Sequence, residues 1–405
     1  MNMEIVFINN KAYDISIWKN KHPGFNVFQE HINNDITSLF YSYHDPEDIK
    51  IKHLLEKYEV KNYNVPKLDT ITENFIKLKD ELKSLGLFNV NKAYYYKKYL
   101  FLFILALFTF LFIGYFDLIA GICFGLLIQQ SAFIGHDLGH DSVMTEDKGL
   151  LFNKKYKKYA SLFFGNFIFG VDGLNWSKNH NTHHRLTLVP GKDPQNEHLP
   201  FLLYKKEELT YVEGRNINII FKLILKLQHI YILPLLFIVG RVNLVLDLDN
   251  RELISQQAYF RILAVIFHII LWIILTSIAE YKMLFLIPSV IISSFIHLQI
   301  LLSHAYMPRI KESNLHEKGW IYAQTITTLD IQTNWYDEWF HGGLQYQLAH
   351  HLFTQIPRHN LKRAQPIIAK FCKENNLDYN IEYFHIAVLK MLKSLKKEAD
   401  SLKLF

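Results

Sequence analysis

The chain has 405 residues, 50% of them hydrophobic, and its 44 Lys and Arg against 38 Asp and Glu give a net charge of +6. It has 20 histidines but only two cysteines, Cys123 and Cys372, which excludes disulfide scaffolds, cysteine zinc fingers and cysteine-ligated iron–sulfur clusters. The net charge is too small to indicate nucleic-acid binding, and we expect any metal ion to be held by imidazole.

Residues 1–65 predict a small α+β domain, with short alternating strands followed by helical periodicity. His22 begins a Pro-Gly turn, and His44 follows 22 residues later. Two imidazoles so placed can bind a haem iron from opposite faces. Without a haem, His22 is simply part of a turn and His44 a helix cap.

The runs NKAYDISIWKNKHPG and DITSLFYSYHD in this region resemble a cytochrome b5 domain. The resemblance implies a haem b with His22 and His44 as axial ligands, and with Phe28, Leu39 and Phe40 near the pocket. The chain departs from the family pattern at Phe25, where a second glycine is usual. Residues 66–98 are predicted to be a linker that ends in a basic, aromatic stretch suited to a membrane interface.

Four long apolar stretches predict membrane helices, because about 18–20 apolar residues span the hydrocarbon layer. Their approximate bounds are 99–116, 118–135, 262–279 and 283–303. A shorter stretch, 227–240, contains Pro234 and is expected to lie at the interface or to re-enter the membrane. Four crossings put both termini on the side of residues 136–261, which carry 16 Lys and Arg. The positive-inside rule makes that side cytosolic, and we expect the endoplasmic reticulum membrane.

Three histidine clusters lie on the predicted cytosolic side, each with helical spacing that puts its members on one face. They are HDLGH (His136, His140), HNTHH (His180, His183, His184) and QLAHH (Gln347, His350, His351). Seven imidazoles exceed what one tetrahedral zinc ion uses, so two metal ions are predicted. His304 and His341 are further candidates, whereas isolated histidines on apolar faces are more often core residues.

These clusters, the four spans and the phrase FHGGLQYQLAHHLF resemble the membrane fatty-acyl desaturases, and specifically the front-end and sphingolipid long-chain-base desaturases. The resemblance implies a desaturase domain over 99–405, mostly helical, with a cytosolic cap. It also implies a di-iron centre that uses O2 to introduce a cis double bond into a lipid or acyl substrate. Electrons would come from NADH through a cytochrome b5 reductase and the chain's own haem. The implied iron ligands are His136, His140, His180, His183, His184, His304, His341, Gln347, His350 and His351.

Two departures from the pattern, Ala349 and Thr354, leave every implied ligand in place. The alternatives are a b5-fused lipid hydroxylase, which the glutamine of the third cluster disfavours, and a non-catalytic membrane haem electron carrier, which the intact clusters disfavour. Asp137 and Asp141 are either partners of the ligating imidazoles or solvated helix charges. Trp176, Trp335 and Trp339 either line an acyl tunnel or anchor the interface. The sequence does not specify double-bond position, chain length or acyl carrier.

Overall fold

A computed structural model of the chain describes residues 3–22, 27–28, 30–145, 152–196, 201–206, 208–211, 219–239 and 253–402. Phe25 lies outside these residues. The N-terminal unit is α+β, as predicted. Its antiparallel sheet consists of Ile5–Ile8, Lys11–Asp14 and Glu59–Val60, and its helices are Thr37–Tyr43 and Ile49–Tyr58. Asn9 and Asn10, with φ of +49° and +59°, make the tight turn between the first two strands.

The segment expected to be a linker contains a packed helix, Thr70–Ser84. Asp69 caps it by accepting a hydrogen bond from the Thr72 amide at 2.9 Å. Phe75, Leu78 and Leu82 recur at helical spacing and are buried in the core that also contains the third histidine cluster's apolar neighbours. The N-terminal unit is therefore joined to the rest of the chain by a helix buried on one face.

Within the described residues, four helices are long and apolar enough to cross a membrane. They are Lys92–Phe112, Asp117–Gly139, Tyr259–Ile278 and Lys282–Leu302. The first begins earlier than expected because the basic, aromatic stretch before residue 99 continues the helix. The helices Ile219–Lys226 and Gln228–Phe237 meet at 74°, forming either a broken span or a re-entrant segment.

Close contact between the second and fourth spans depends on small residues. A Cβ at Gly121 would lie 2.4 Å from the Phe285 carbonyl oxygen, and one at Gly125 would lie 3.0 Å from that of Ser289. Glycine lets two membrane helices approach to backbone contact. This packing brings together the ends of these spans, from which His136 and His304 project.

The remaining elements form a mostly helical region around these helix ends, which agrees with the predicted fold class. Between the second and third spans they are Lys154–Tyr156, Lys157–Ser161, Leu162–Phe169, Gly173–Arg185, Glu208–Tyr211, Ile219–Lys226, Gln228–Pro234 and Leu235–Val239. After the fourth span they are Glu312–Lys318, Trp320–Thr327, Glu338–His341, Gln347–Leu352, Arg358–Glu374 and Phe384–Ser401. Two short parallel strands, Asp330–Gln332 and Ile381–Tyr383, join the parts after the fourth span.

Candidate metal centre

The three histidine clusters converge at the ends of three different helices. His136 lies in the last turn of the second span and His140 caps it, His180 lies on Gly173–Arg185, and His350 lies on Gln347–Leu352. One potential ligand atom from each of these four residues lies within 4.8 Å of the others. The four imidazoles form a first group of metal-binding dimensions, which we call group 1.

A second group, group 2, consists of His183, His304 and His351, whose ring nitrogens also lie within 4.8 Å of one another. Gln347 lies beside it, with its amide Nε2 3.3 Å from His304 Nε2 and 3.0 Å from His351 Nε2. The glutamine at the first position of the third cluster therefore adjoins group 2, and its Oε1, which is buried without a hydrogen-bond partner among the described residues, is the atom that could bind a metal. His304, predicted from its place after the last span, lies in this group.

His184 lies between the two groups. Its ring centroid is 4.6 Å from those of His180 and His350 in group 1 and 4.1 Å from that of His351 in group 2. The two groups are thus adjacent parts of one buried site.

His341 lies apart from both groups. Its Nδ1 is 3.3 Å from Gln299 Nε2, and its ring faces Phe384 at 5.4 Å. The same Gln299 amide donates to the Phe340 carbonyl at 2.9 Å. Of the ten residues implied by the resemblance, His341 is the one that the structure does not bring to either group or between them.

Several nitrogen and oxygen atoms in the site are buried without a hydrogen-bond partner among the described residues. They are both ring nitrogens of His140, Nδ1 of His184, Nε2 of His350 and Oε1 of Gln347. Burial, and then the neighbouring imidazoles, lower the pKa values of His140, His184 and His350 far below the usual value. Burying a neutral imidazole whose acceptor nitrogen has no hydrogen-bond partner destabilises the folded protein, unless a metal ion or another ligand binds that nitrogen. An imidazole-rich, thiolate-free donor set fits iron.

The ring nitrogens that face away from the groups are held by an outer layer of oxygen atoms. His183 Nδ1 lies 2.9 Å from Asp193 Oδ2, His180 Nδ1 lies 2.6 Å from Gln195 Oε1, and His351 Nδ1 lies 2.8 Å from Gln324 Oε1. The Thr327 carbonyl lies 2.9 Å from His304 Nδ1. These oxygens accept the Nδ1 protons, which leaves Nε2 free to bind a metal.

Sequence reasoning missed this outer layer. Asp193 and Gln195 lie in a turn shortly after the second cluster. In the sequence, the one feature that could have indicated these partners is a polar turn close to a histidine cluster. Burial would raise the pKa of Asp193, but His183 and the surrounding donors hold it below its usual value. Asp193 is therefore an ionised carboxylate beside His183.

The two aspartates of the first cluster have different environments. Asp137 is buried, where Arg358 Nε lies 2.8 Å from its Oδ2 and the Tyr95 hydroxyl donates to it at 3.1 Å. Asp141 is exposed and pairs with Lys157 at 2.8 Å. Asp137 thus fixes the end of the second span, whereas Asp141 is a solvated charge.

The three tryptophans also differ. Trp176 stacks on His180, with ring centroids 4.4 Å apart, whereas Trp335 is 87% exposed. Trp339 is 42% exposed and packs edge-on against Phe101 of the first span. Trp176 belongs to the histidine site, and the exposure of Trp335 is typical of an interfacial anchor.

A second candidate site lies in the N-terminal unit. The ring centroids of His22 and His44 lie 5.9 Å apart with the ring planes at 85°, and burial lowers both pKa values to about 4. Phe28 and Phe40 pack on the two imidazoles, at 5.2 and 5.1 Å. Leu39 instead packs in the core that contains Phe75. Two neutral imidazoles at this separation, with aromatic neighbours, fit bis-histidine haem ligation.

Two protein-family models match this chain. Residues 108–383 match the model of the fatty acid desaturase family, and residues 4–64 match the cytochrome b5-like haem/steroid binding domain. The chain belongs to the fatty acid desaturase family. This desaturase is thus an oxidoreductase with an N-terminal cytochrome b5 domain, called the haem domain below, and the predicted family is confirmed.

Named relatives resemble the desaturase over most of its length. It is 27% identical to a Delta(8)-fatty-acid desaturase of Arabidopsis thaliana, over 95% of this chain and 87% of that protein. It is 28% identical to an acyl-lipid (9-3)-desaturase of Borago officinalis, over 97% and 90% of the two chains. It is 33% identical to a Delta 8-(E)-sphingolipid desaturase of Komagataella phaffii, over 66% of this chain and 51% of that protein.

Proposed function

We propose that this desaturase introduces a double bond at the eighth carbon of a lipid-linked acyl chain or sphingoid base. The observation that carries the proposal is the adjacency of the two histidine groups through His184, which suits a pair of iron ions. The names of the relatives support the position of the bond, since two of those described above carry the designation Delta 8.

Group 1 would hold one iron ion, and group 2 with Gln347 the other, while His184 lies within reach of both. His341 lies outside both groups, in contact with Gln299, and would hold neither ion. Bound iron with O2 supplies an oxidant strong enough to remove hydrogen from an unactivated methylene, which no side chain can do. The protein contributes a dry, pre-oriented site, in which His184 and His351 are fully buried.

The outer oxygens hold the imidazoles in position. Asp193 fixes the tautomer of His183, and Gln324 fixes that of His351. Trp176 fixes the ring plane of His180 by stacking on it. These contacts keep the ligand nitrogens aimed at the centre throughout the reaction.

We further propose that the electrons start at NADH and pass through a membrane cytochrome b5 reductase to the haem held by His22 and His44. A fused donor raises the effective concentration of the haem at the metal centre. If the bent helix pair Ile219–Lys226 and Gln228–Phe237 is re-entrant, the chain crosses the membrane four times. Both termini and both redox centres then face the cytosol. We place the enzyme in the endoplasmic reticulum membrane.

The test is expression in a host that lacks Delta 8 unsaturation, with double bonds mapped separately in acyl lipids and sphingolipids. We expect a product two hydrogens lighter than its precursor, and His183→Ala is expected to abolish it. We propose that the new double bond is cis. One relative is named as a Delta 8-(E) desaturase, so the cis and trans products should be distinguished by gas chromatography. A product heavier by one oxygen, or an unchanged product in His183→Ala, would contradict the proposal.

A further inference from the structure

The haem domain does not merely precede the desaturase domain, because its haem-ligand loops contact the helix that carries the second histidine cluster. Tyr43, next to His44, donates its hydroxyl to the Asn181 carbonyl at 3.4 Å. Asn181 is next to His180 of group 1. One hydrogen bond therefore joins the neighbour of a haem ligand to the neighbour of a group 1 histidine.

A second contact also starts at Tyr43. Its carbonyl accepts a hydrogen bond from Gln355 Nε2 at 2.5 Å. Gln355 follows the third histidine cluster, in the turn that leaves His351 of group 2. Tyr43 thus contacts the segments that carry both groups of metal-binding residues.

Arg185 makes a third contact, on the His22 side of the haem pocket. It follows His184 directly, is only 8% exposed, and donates from Nη1 to the Val27 carbonyl at 3.1 Å. The same nitrogen lies 3.7 Å from a carboxylate oxygen of Glu30. A long cationic side chain beside the metal site is therefore directed into the haem domain and paired there.

The helix Thr70–Ser84 also holds the haem domain, through contacts to the backbone around His44. Lys79 is 5% exposed and donates to the Tyr41 carbonyl at 2.5 Å and to the His44 carbonyl. Lys83 pairs with Asp45 at 2.6 Å. The backbone around His44 is therefore held by the connecting helix on one side and by the histidine-cluster segments on the other.

We propose that Tyr43 and Arg185 are positioning residues that dock the haem domain on the metal centre, and that electrons pass through this contact. The inference rests on the proposed function. Electronic coupling falls steeply with distance, and it is weaker across a van der Waals gap than along covalent or hydrogen bonds. Electron transfer is therefore favoured along the route from His44 through Tyr43 and Asn181 to His180. Each transfer oxidises the haem by one electron and reduces the metal centre by one, and the reductase restores the haem. Two transfers, with two protons and the two hydrogens of the substrate, convert O2 to two waters.

The first experiment follows reoxidation of the haem in intact, haem- and iron-loaded protein. The haem is reduced anaerobically and mixed with O2 and the lipid substrate, and its absorbance is recorded. Tyr43→Phe keeps the ring and removes the hydroxyl, and we expect about fivefold slower reoxidation, the equivalent of one hydrogen bond. For Arg185→Gln, which removes a buried charged contact, we expect a slowing of about tenfold or more. The matched control is Tyr63→Phe, on an exposed tyrosine of the same domain.

The second experiment needs neither iron nor turnover. Hydroxyl-radical footprinting of the intact chain measures how accessible Tyr43 and Phe28 are to solvent. We expect Arg185→Gln to increase their labelling and Tyr63→Phe to leave it unchanged. A purely local effect on haem binding would instead change the haem content.

The inference is overturned if both variants retain wild-type haem and iron content and reoxidise the haem at the wild-type rate. Unchanged labelling in Arg185→Gln would also overturn it. If the wild-type protein makes no double bond but reoxidation still depends on Tyr43 and Arg185, the docking stands and the proposed function fails. If the wild-type protein desaturates lipid and the variants transfer electrons normally, the docking alone fails.

Discussion

Asp193→Asn tests whether the outer carboxylate sets the affinity of the centre for its metal. Asp193 Oδ2 lies 2.9 Å from three nitrogens, those of His183 Nδ1, the Leu188 amide and Asn196 Nδ2, while Oδ1 accepts from the Gln195 amide at 3.0 Å. An asparagine keeps the most contacts if its oxygen takes the Oδ2 position. Its NH2 group then opposes the Gln195 amide, so the change removes one hydrogen bond and the negative charge.

Loss of such a partner weakens metal binding by about 10–100-fold. That range corresponds to about 1.4–2.8 kcal/mol. The assay is chelator challenge of the purified protein at graded chelator concentrations, with retained iron and desaturation measured on the same samples. We expect Asp193→Asn to lose iron at about tenfold to hundredfold lower chelator concentration than wild type.

The matched control is Asp141→Asn, because Asp141 is exposed and pairs only with Lys157 in the described contacts. Its φ of +58° suits asparagine, so the fold is expected to tolerate the change. If Asp193→Asn retained iron as well as Asp141→Asn does, the proposed role of the outer carboxylate would be refuted.

Three further predictions concern the scaffold. Gly342→Ala is expected to destabilise the protein by about 2–4 kcal/mol, because φ is +60° and the new Cβ would lie 2.2 Å from the Phe133 ring. In detergent it should unfold at a lower temperature than Gly135→Ala, a helical position where the new Cβ meets nothing within 4 Å, and equal midpoints would contradict this. Arg358→Met leaves the Asp137 carboxylate buried without its cation and should lower the free energy of unfolding by about 3–5 kcal/mol. A double variant that adds Asp137→Asn should recover part of this loss. If the effects of the two substitutions simply add, the ion pair between Asp137 and Arg358 does not contribute as described. Burial, then the nearby Arg185, lower the pKa of His31 from 6.5 to about 3. As the pH falls below 6.5, His31 is protonated in the unfolded chain but stays neutral in the folded protein, so the free energy of unfolding decreases between about pH 6.5 and 3. From pH 7 to 5 the decrease is about 2 kcal/mol. His31→Gln should flatten the pH dependence of the unfolding midpoint relative to wild type.

The sequence predicts the parts whose physics is local. Helical spacing within HNTHH and QLAHH puts the ligands on one face, and long uncharged runs predict the spans. It does not predict which histidines meet across helices, since His304 follows the last apolar run and His341 follows the aromatic pair Trp339 and Phe340, and only His304 reaches group 2. That difference is set by the packing of the fourth span and by the Gln299 contact of His341.

The outer layer and the docking contacts depend on tertiary structure in the same way. Asp193 reaches His183 through an irregular turn, and Thr327 contributes a backbone carbonyl, which has no sequence signature. The sequence of residues 66–98 predicts a linker because ten of the 33 residues are Lys or Asn. The buried face of Thr70–Ser84 becomes meaningful only once the core that it covers is assembled.

The central claim is that three histidine clusters build one centre for two iron ions beside a separate haem. The most direct measurement is Mössbauer spectroscopy of protein produced with ⁵⁷Fe, combined with iron and haem quantification per chain. We expect one haem iron and two non-haem iron ions with nitrogen and oxygen ligation, and His184→Ala should disturb both non-haem ions. A single non-haem iron, or a site filled by zinc, would contradict the account.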